Sequence, residues 1–189
     1  LVPVLLIIKS ASSLQRAIIE ALVFFLIYNL ISFSWLWGIH PLDWQGLNNQ
    51  QSLIISGLAC LTPAIFHSLV LLPFIISCRL FYRYRADSRS HELTVLDISL
   101  LTFIWVAIEH KLLFNLGADL GVFSVPVNLL VYSNYQNTTL IQICKIIGAI
   151  GLEYIIVFTN LSIANLFNIQ SKTNYQATAS TLNIKQPFC

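Results

Sequence analysis

The 189-residue chain is 57% hydrophobic, has a mean hydropathy of +0.76 and contains only 10% charged residues. Soluble domains carry about 25% charged residues, so this composition excludes that class and predicts an integral membrane protein. The formal net charge of +2 is too small, and too evenly divided among the loops, to indicate a nucleic-acid partner.

The first 16 residues contain a short apolar segment, Leu1 to Ile8, which no basic residue precedes and no small-residue cleavage site follows. It is therefore a poor signal peptide, and we interpret it as the tail of a helix, followed by a loop that contains Lys9 and Arg16. The chain has no Met and begins at Leu1, so the expectation is an incomplete or unusually started reading frame.

Four apolar runs are long enough to cross a hydrocarbon core about 30 Å thick, which needs about 20 helical residues. The predicted spans are residues 17–37, 52–78, 93–114 and 140–167. Pro63 and Pro73 lie in the second span and are expected to kink it, because proline removes a backbone donor. The fold class is therefore all-α, a polytopic membrane helical bundle.

The connecting segments are more polar than the spans. Residues 79–92 contain four arginines and are expected to form a juxtamembrane loop at the lipid headgroups. Residues 122–131 are apolar but too short to cross, so they are expected at the interface. Residues 168–189 are rich in Ser, Thr, Asn and Gln and are predicted to be a polar, poorly ordered tail.

Basic residues predict the orientation, because Lys and Arg collect in cytoplasmic loops. With four alternating spans, eight of the ten basic residues fall on one side, and the loops over residues 39–51 and 115–139 contain none. Both termini are therefore predicted in the cytoplasm. Lys111 and Lys145 flank the outer loop and weaken the count without reversing it.

Polar residues inside the spans are the candidates for function, because they are costly in lipid unless they face protein or water. On the last span, the residues expected to face inward are Gln142, Lys145, Glu153 and Asn160. Gly148 and Gly151 are interpreted as sites of close helix approach.

Two further candidates have a structural and a functional interpretation. Glu109 and His110 could form an acid/base pair, but adjacent helical residues point in different directions, which favours a structural pairing of Glu109 with a neighbouring helix. His67 is an intramembrane histidine, and hydrogen bonding to another helix is the interpretation preferred over a ligand or proton-carrier role.

Soluble-enzyme motifs are absent from the sequence, which has no glycine-rich phosphate loop, GxSxG, HExxH or Cys/His metal spacing. No catalytic residue, metal site or cofactor is predicted. The four cysteines have no paired spacing and are interpreted as small buried hydrophobes: Cys60, Cys78, Cys144 and Cys189.

An ordered set of residues resembles the membrane region of bacterial apolipoprotein N-acyltransferases. It comprises the outer segment from Ser34 to Trp44, the helix end from Trp105 to Glu109, and a final series: Pro126, Tyr132, Ser133, Gln142, Gly148, Gly151 and Asn160. The match extends over about residues 16–167. Where the family usually has Leu-Arg after the Glu, this chain has His110-Lys111, and the usual Trp after the Pro is Val127.

The resemblance implies transfer of a fatty acyl chain from a phospholipid to the amino group of the diacylglyceryl-cysteine that begins a lipoprotein. In that family a cysteine is acylated as a thioester and then attacked by the amine. It belongs to a large outer nitrilase-like domain with a Glu-Lys-Cys set, and none of the four cysteines here matches it. The chain alone is therefore expected to be inactive, with a separate nitrilase-like chain as an expected partner.

The resemblance also implies a location in the bacterial plasma (inner) membrane and a lipid-facing cleft beneath the outer domain. The outer residues predicted to line the mouth of the cleft and to bind lipid or substrate are Trp35, Trp37, Trp44, Glu109 and Tyr132. The alternative is a small non-catalytic transporter or assembly subunit, with a path lined by His67, Lys145 and Glu153.

Overall fold

The computed structural model describes residues 1–86, 93–113 and 136–181, and everything it describes outside turns and connections is helical. The α-helices are α1 (Val2–Ser10), α2 (Leu14–Ser32), α3 (Asn49–Val70), α4 (Leu72–Ala86), α5 (Val95–Ala107) and α6 (Thr138–Thr181). Two 3₁₀-helices, Ser34–Ile39 and Asp43–Gln45, follow α2, and a π-helix, Ile108–Leu113, continues α5. The prediction of an all-helical fold is confirmed.

Three helical segments within these ranges are long and apolar enough to cross a membrane: Leu14–Ile39, Asn49–Ala86 and Gln142–Phe167. The predicted span over residues 93–114 corresponds to α5 together with the π-helix. The 13 residues of α5 rise only about 20 Å at 1.5 Å per residue, so this segment reaches across a bilayer only with its π-helical continuation. The division into four spans remains a prediction.

Three helices begin earlier or end later than the sequence predicted. The helix that contains Arg79 continues to Ala86, so the first eight residues of the predicted loop are helical. The last helix continues to Thr181, into the segment predicted as an irregular tail. At the start of α3, Asn48 and Gln51 form a capping box, which explains why this helix begins three residues before the second predicted span.

The two prolines of the second predicted span, now helices α3 and α4, have different effects. Pro63 lies inside α3, whereas Pro73 follows a break at Leu71, which separates α3 from α4. A proline ring clashes with the carbonyl four residues earlier and offers no N–H to it, which explains an interruption just before Pro73. The kink expected from Pro73 is therefore present as a helix break.

Gly148 breaks the last helix. Gly148 has φ +73° and ψ 172°, a backbone conformation that side chains disfavour, and no described atom would contact a Cβ placed there. At Gly151 an added Cβ would lie 2.8 Å from Cβ of Ile147 in the same helix. Among the described residues, the interpretation as a site of close helix approach is wrong for Gly148, and for Gly151 it stays a prediction.

The core lies where α1, α2, α4, α5 and α6 meet. Val4, Leu5 and Ile8 of α1 are fully buried, as are Phe74 of α4 and Leu101 of α5. Arg79 of α4 donates hydrogen bonds to the carbonyls at the end of α1 and beyond it: Ile8 (3.3 Å), Lys9 (3.0 Å) and Ala11 (2.6 Å). The short first helix is therefore an integral part of the bundle.

One end of the bundle joins α4, α5 and α6. Arg85 donates from Nε to Oδ2 of Asp97 over 2.7 Å, and Asp97 also caps α5 in a capping box with Thr94. Asn165 of α6 exchanges two hydrogen bonds with the backbone of Leu93, at 3.3 and 3.1 Å. We call this the basic end, and the opposite end, with the 3₁₀-helices, the aromatic end.

Candidate functional site

A buried carboxylate of α6 joins that helix to α5 and the π-helix. Glu153 has no exposed surface, its Oε1 accepts a hydrogen bond from Trp105 Nε1 (3.3 Å), and its Oε2 lies 2.9 Å from Nε2 of His110. The imidazole and the carboxyl group share a proton, as either an ion pair or a neutral hydrogen bond. A buried carboxylate needs such partners, since an unpaired one is strongly destabilising.

The π-helix explains how residues five apart reach the same carboxyl group. In a regular α-helix, Trp105 and His110 would point about 140° apart, because each residue turns the chain by about 100°. The π-helix over Ile108–Leu113 begins between them, and its i→i+5 repeat turns the chain by a smaller angle per residue, so the two side chains reach the two oxygens of one carboxyl group. Isolated π-helical turns occur frequently at functional sites.

The indole of Trp105 is fixed by aromatic neighbours. Its ring centroid lies 4.8 Å from that of Phe74 in an edge-to-face arrangement and 6.0 Å from that of Phe25. Only 2% of Trp105 is exposed. Packing from α2 and α4 therefore sets the direction of the indole N–H that binds Glu153.

Glu109 precedes His110 but does not share its partner. It is 5% exposed, and its Oε2 has no hydrogen-bond partner among the described residues. The hypothesis of an acid/base pair between Glu109 and His110 is wrong, because His110 binds Glu153 instead. Adjacent residues point in different directions, so Glu109 does not follow His110 to Glu153, and the π-helix that contains Glu109 also packs against α3.

The buried face of α3 is unusually polar. Ser52, Ser56, His67 and Ser68 are all buried, and Ser68 accepts a hydrogen bond from Asn29 of α2 over 3.0 Å. The ring of His67 is stacked on Phe33, with 5.0 Å between centroids. His67 Nδ1 and Ser56 Oγ have no hydrogen-bond partner within the described part of the chain. The expected hydrogen bond from His67 to another helix is not made through Nδ1.

The tryptophans of the aromatic end lie on and beside the 3₁₀-helices. Trp35 is 59% exposed, Trp37 47% and Trp44 75%. The connection is held to α3 by Ser52, whose hydroxyl accepts the Leu42 N–H (2.8 Å) and lies 2.7 Å from His40 Nδ1. These rings are therefore displayed on a segment with a defined structure.

The predicted lipid-binding residues divide into two kinds. The three tryptophans are exposed, whereas Glu109 is buried, and among the described residues no hydrogen bond or ring contact joins it to them. Tyr132 lies outside the described residues, as does the predicted interfacial segment over residues 122–131. The assignment of these five residues to one site stays a prediction.

Polar residues of α6 follow the prediction only in part. Glu153 faces the interior, as predicted, and Asn160 is half-buried, donating to the Ile156 carbonyl of its own helix (2.8 Å). The prediction is wrong for Gln142 and Lys145, which are exposed. Both precede the break at Gly148, which changes the course of the helix, so a face extrapolated from Glu153 does not continue to them.

The cysteines are confirmed as free thiols where the structure describes them. Cys60 and Cys78 are buried and Cys144 is half-buried, while Cys189 lies outside the described residues. Over residues 1–86, 93–113 and 136–181, no three His, Cys, Asp or Glu side chains lie together as metal ligands. The expected lack of a metal and a cofactor remains a prediction.

Sequence reasoning treated Trp105, His110 and Glu153 separately and so missed their cluster. A signal was available, because a buried Glu in one span requires a partner, and His110 is a titratable residue in another span. The i→i+5 geometry that joins His110 to Trp105 has no comparable sequence signal.

Comparison with protein families identifies one domain. Residues 1–162 match the apolipoprotein N-acyltransferase N-terminal domain. No curated protein and no solved structure gave a significant match. The match covers most of the chain, including the arginines of the basic end, the buried Glu153 cluster and the tryptophan segment. The chain therefore belongs to the apolipoprotein N-acyltransferase family, through its N-terminal membrane domain.

Proposed function

We propose that this chain forms the lipid-holding membrane part of an enzyme that transfers a fatty acyl chain from a phospholipid to the N-terminal diacylglyceryl-cysteine of a lipoprotein. The observation that carries the proposal is the family match over residues 1–162. Three long apolar helical segments support a membrane location for this part. Phospholipid and lipoprotein are then its substrates.

The proposed location is the bacterial plasma (inner) membrane, with both termini in the cytoplasm. Support comes from the separation of charge and aromatic residues along the bundle. Arg79 and Arg85 make their contacts at the basic end, whereas Trp35, Trp37 and Trp44 are displayed at the other. Arginine favours the cytoplasmic side and tryptophan favours an interface.

The aromatic end is the proposed mouth of the lipid site, lined by Trp35, Trp37, Trp44, Glu109 and Tyr132. Exposed indoles suit this role, because they offer an apolar body to acyl chains and a polar N–H to the headgroup region. The indole of Trp37 lies beside Gly57 of α3, because its Cη2 atom would be 3.7 Å from a Cβ placed at Gly57. This contact supports the position of Trp37 at the aromatic end.

Cys60 and Cys78 are unsuited to be the proposed nucleophile, and the third described cysteine, Cys144, lies on the apolar helix α6. A thioester-forming cysteine must be accessible to its substrate and able to ionise, whereas Cys60 and Cys78 are buried on helices α3 and α4. We infer that these 189 residues are inactive alone and that a nitrilase-like polypeptide supplies the covalent chemistry. The membrane part would hold the phospholipid while that nucleophile attacks its ester.

Complementation tests this proposal. The chain is expressed, alone and with a nitrilase-like polypeptide, in cells depleted of their own N-acyltransferase, and lipoprotein N-termini are analysed by mass spectrometry. We expect triacylated N-termini only when both are present. Their absence in both cases, with the chain verified in the membrane, would contradict the proposal and leave a non-catalytic transporter or assembly subunit.

A further inference from the structure

Three buried side-chain atoms have no hydrogen-bond partner among the described residues, and two of them, besides Ser56 Oγ, lie at similar heights on elements that pack against each other. Glu109 Oε2 is on the π-helix and His67 Nδ1 is on α3, and neither has a hydrogen-bond partner among the described residues. Their residues are only 5% and 6% exposed. Such groups are costly to bury unsatisfied, so their presence indicates a ligand that completes them.

The two residues lie at similar heights in the bundle. Helices α4 and α5 are antiparallel. Phe74 near the start of α4 contacts Trp105 near the end of α5, and Arg85 at the end of α4 binds Asp97 at the start of α5. Glu109 is four residues beyond Trp105, about 6 Å along the axis, and His67 is seven before Phe74, about 10 Å in the same direction. The axial separation is therefore about 4 Å, less than one helical turn.

The ring of His67 and the backbone at Glu109 are both held in place by neighbouring residues. His67 is stacked on Phe33 with an interplanar angle of 4°. Glu109 follows the course of the π-helix, which Glu153 holds through its contacts with His110 and Trp105. The Glu153 cluster therefore acts as a positioning device for Glu109.

We propose that Glu109 and His67 form a binding site for a primary ammonium group. An ammonium carries three N–H donors and a positive charge, and so suits a carboxylate next to a second acceptor. His67 Nδ1 accepts in the tautomer with its proton on Nε2. This inference rests on the proposed function, in which two molecules carry primary amines: the lipid headgroup of an ethanolamine phospholipid and the free N-terminus of the lipoprotein.

The amine preference can be measured without any variant. The full 189-residue chain is purified in detergent with equimolar phosphatidylethanolamine, its N-monomethyl and N,N-dimethyl forms, and phosphatidylcholine, and retained lipid is quantified by native mass spectrometry. These headgroups have three, two, one and no N–H donors. Because the site has two acceptors, we expect no loss between phosphatidylethanolamine and its monomethyl form, and a decrease of about fivefold at each of the next two steps, where one hydrogen bond is lost each time.

The second amine source is tested in the same preparation. A diacylglyceryl-cysteine peptide with a free α-amino group is compared with its N-acetylated form. Preference for the free amine with no headgroup preference assigns the site to the lipoprotein, and the reverse assigns it to the phospholipid. Equal retention of all four lipids and of both peptides would overturn the proposal and leave an ordered water as the partner.

Variants identify the residues responsible. Glu109→Gln is expected to lower retention of the preferred amine about tenfold, since a charge-assisted hydrogen bond is lost, while phosphatidylcholine retention stays unchanged. His67→Phe should lower it about threefold. The matched control is Glu20→Gln, which removes a half-exposed carboxylate bound to Arg16 on α2. Glu109→Asp keeps the charge and should retain part of the amine preference. It tests the site independently if Glu109→Gln does not fold.

These measurements separate the inference from the proposed function, because no acyl transfer is needed. An amine preference without triacylation in the complementation experiment would leave an amine site in a protein of different function. Triacylation without any amine preference, or a preference that Glu109→Gln leaves intact, would contradict the site alone.

Discussion

The two ends of the bundle treat their polar groups differently. At the basic end, Arg79 binds three backbone carbonyls, Arg85 binds Asp97, and Asn165 binds the backbone of Leu93. Toward the aromatic end, Glu109 and His67 are buried with atoms that have no partner in the described part of the chain. Satisfied groups hold helices together, whereas unsatisfied ones reduce stability and are retained where a ligand uses them.

This contrast predicts that polar substitutions at the two ends have effects of opposite sign. Substitutions at the basic end should lower the free energy of unfolding. Substitution of Glu109 should leave stability unchanged or raise it. Unfolding of the purified chain in detergent micelles, followed by circular dichroism during denaturant titration, measures both.

The largest effect is expected for Arg79→Ala at the basic end. It removes three hydrogen bonds that fasten α1 to α4, and bonds from charged donors contribute about 1.5–3 kcal/mol each, partly replaced by water at this half-buried position. We expect a loss of about 3 kcal/mol. Arg83→Ala is the matched control, since Arg83 is exposed on the same helix and should change stability by less than about 0.5 kcal/mol. Equal losses of stability in Arg79→Ala and Arg83→Ala would mean that the Arg79 hydrogen bonds do not stabilise the bundle.

Glu153→Ala should rank second. It removes the carboxyl group that accepts from the buried Trp105 indole and contacts His110, and we expect a loss of about 2 kcal/mol in the free energy of unfolding. Glu153→Gln keeps an acceptor for the indole and should recover about half of that loss. An undiminished stability in the Ala variant would show that the cluster does not hold α5 to α6.

Gly148→Ala tests the break in α6. Its φ of +73° is strained for any residue with a Cβ, at a cost of about 1–2 kcal/mol. Gly38→Ala is the control, because a Cβ there meets no described atom within 4 Å and Gly38 has no positive φ. In thermal unfolding, the midpoint of Gly148→Ala should be lower than that of Gly38→Ala. Equal midpoints would mean that the positive φ at Gly148 does not contribute to the stability of the fold.

The smallest change in stability, with the opposite sign, is expected for Glu109→Leu. It replaces a buried carboxyl group that has an unsatisfied oxygen by an apolar side chain, so the free energy of unfolding should rise by up to about 1 kcal/mol. The same denaturant titration measures it. A loss above about 1 kcal/mol would mean that Glu109 has a structural partner and would remove the contrast between the two ends.

The sequence predicted the parts of the fold that rest on hydrophobic length and missed those that rest on local geometry. Apolar runs identified the three long helical segments and the buried position of Glu153. The break at Gly148 misled the assignment of Gln142 and Lys145, because a helical face was extended through a residue that is not helical. Helical propagation past Arg79 to Ala86 was missed because arginine was taken as a loop signal, although it is a good helix former.

For the candidate site, residue type was more informative than position. The polar residues inside spans were recognised as candidates, yet their pairing depends on the π-helix, which turns His110 toward Glu153 and leaves Glu109 on another side. A sequence pattern built on 3.6 residues per turn cannot contain that change of register. The tryptophans were placed together at one end because they lie close in sequence.

Accessibility labelling tests most directly whether the aromatic end faces outward and the basic end faces the cytoplasm. Trp44→Cys and Arg83→Cys place a thiol at exposed positions of the two ends, and a membrane-impermeant maleimide is applied to intact and to opened cells, with the unmodified chain as background. We expect Trp44→Cys to react in intact cells and Arg83→Cys only after opening. Reaction of Arg83→Cys in intact cells, with Trp44→Cys protected, would contradict the account.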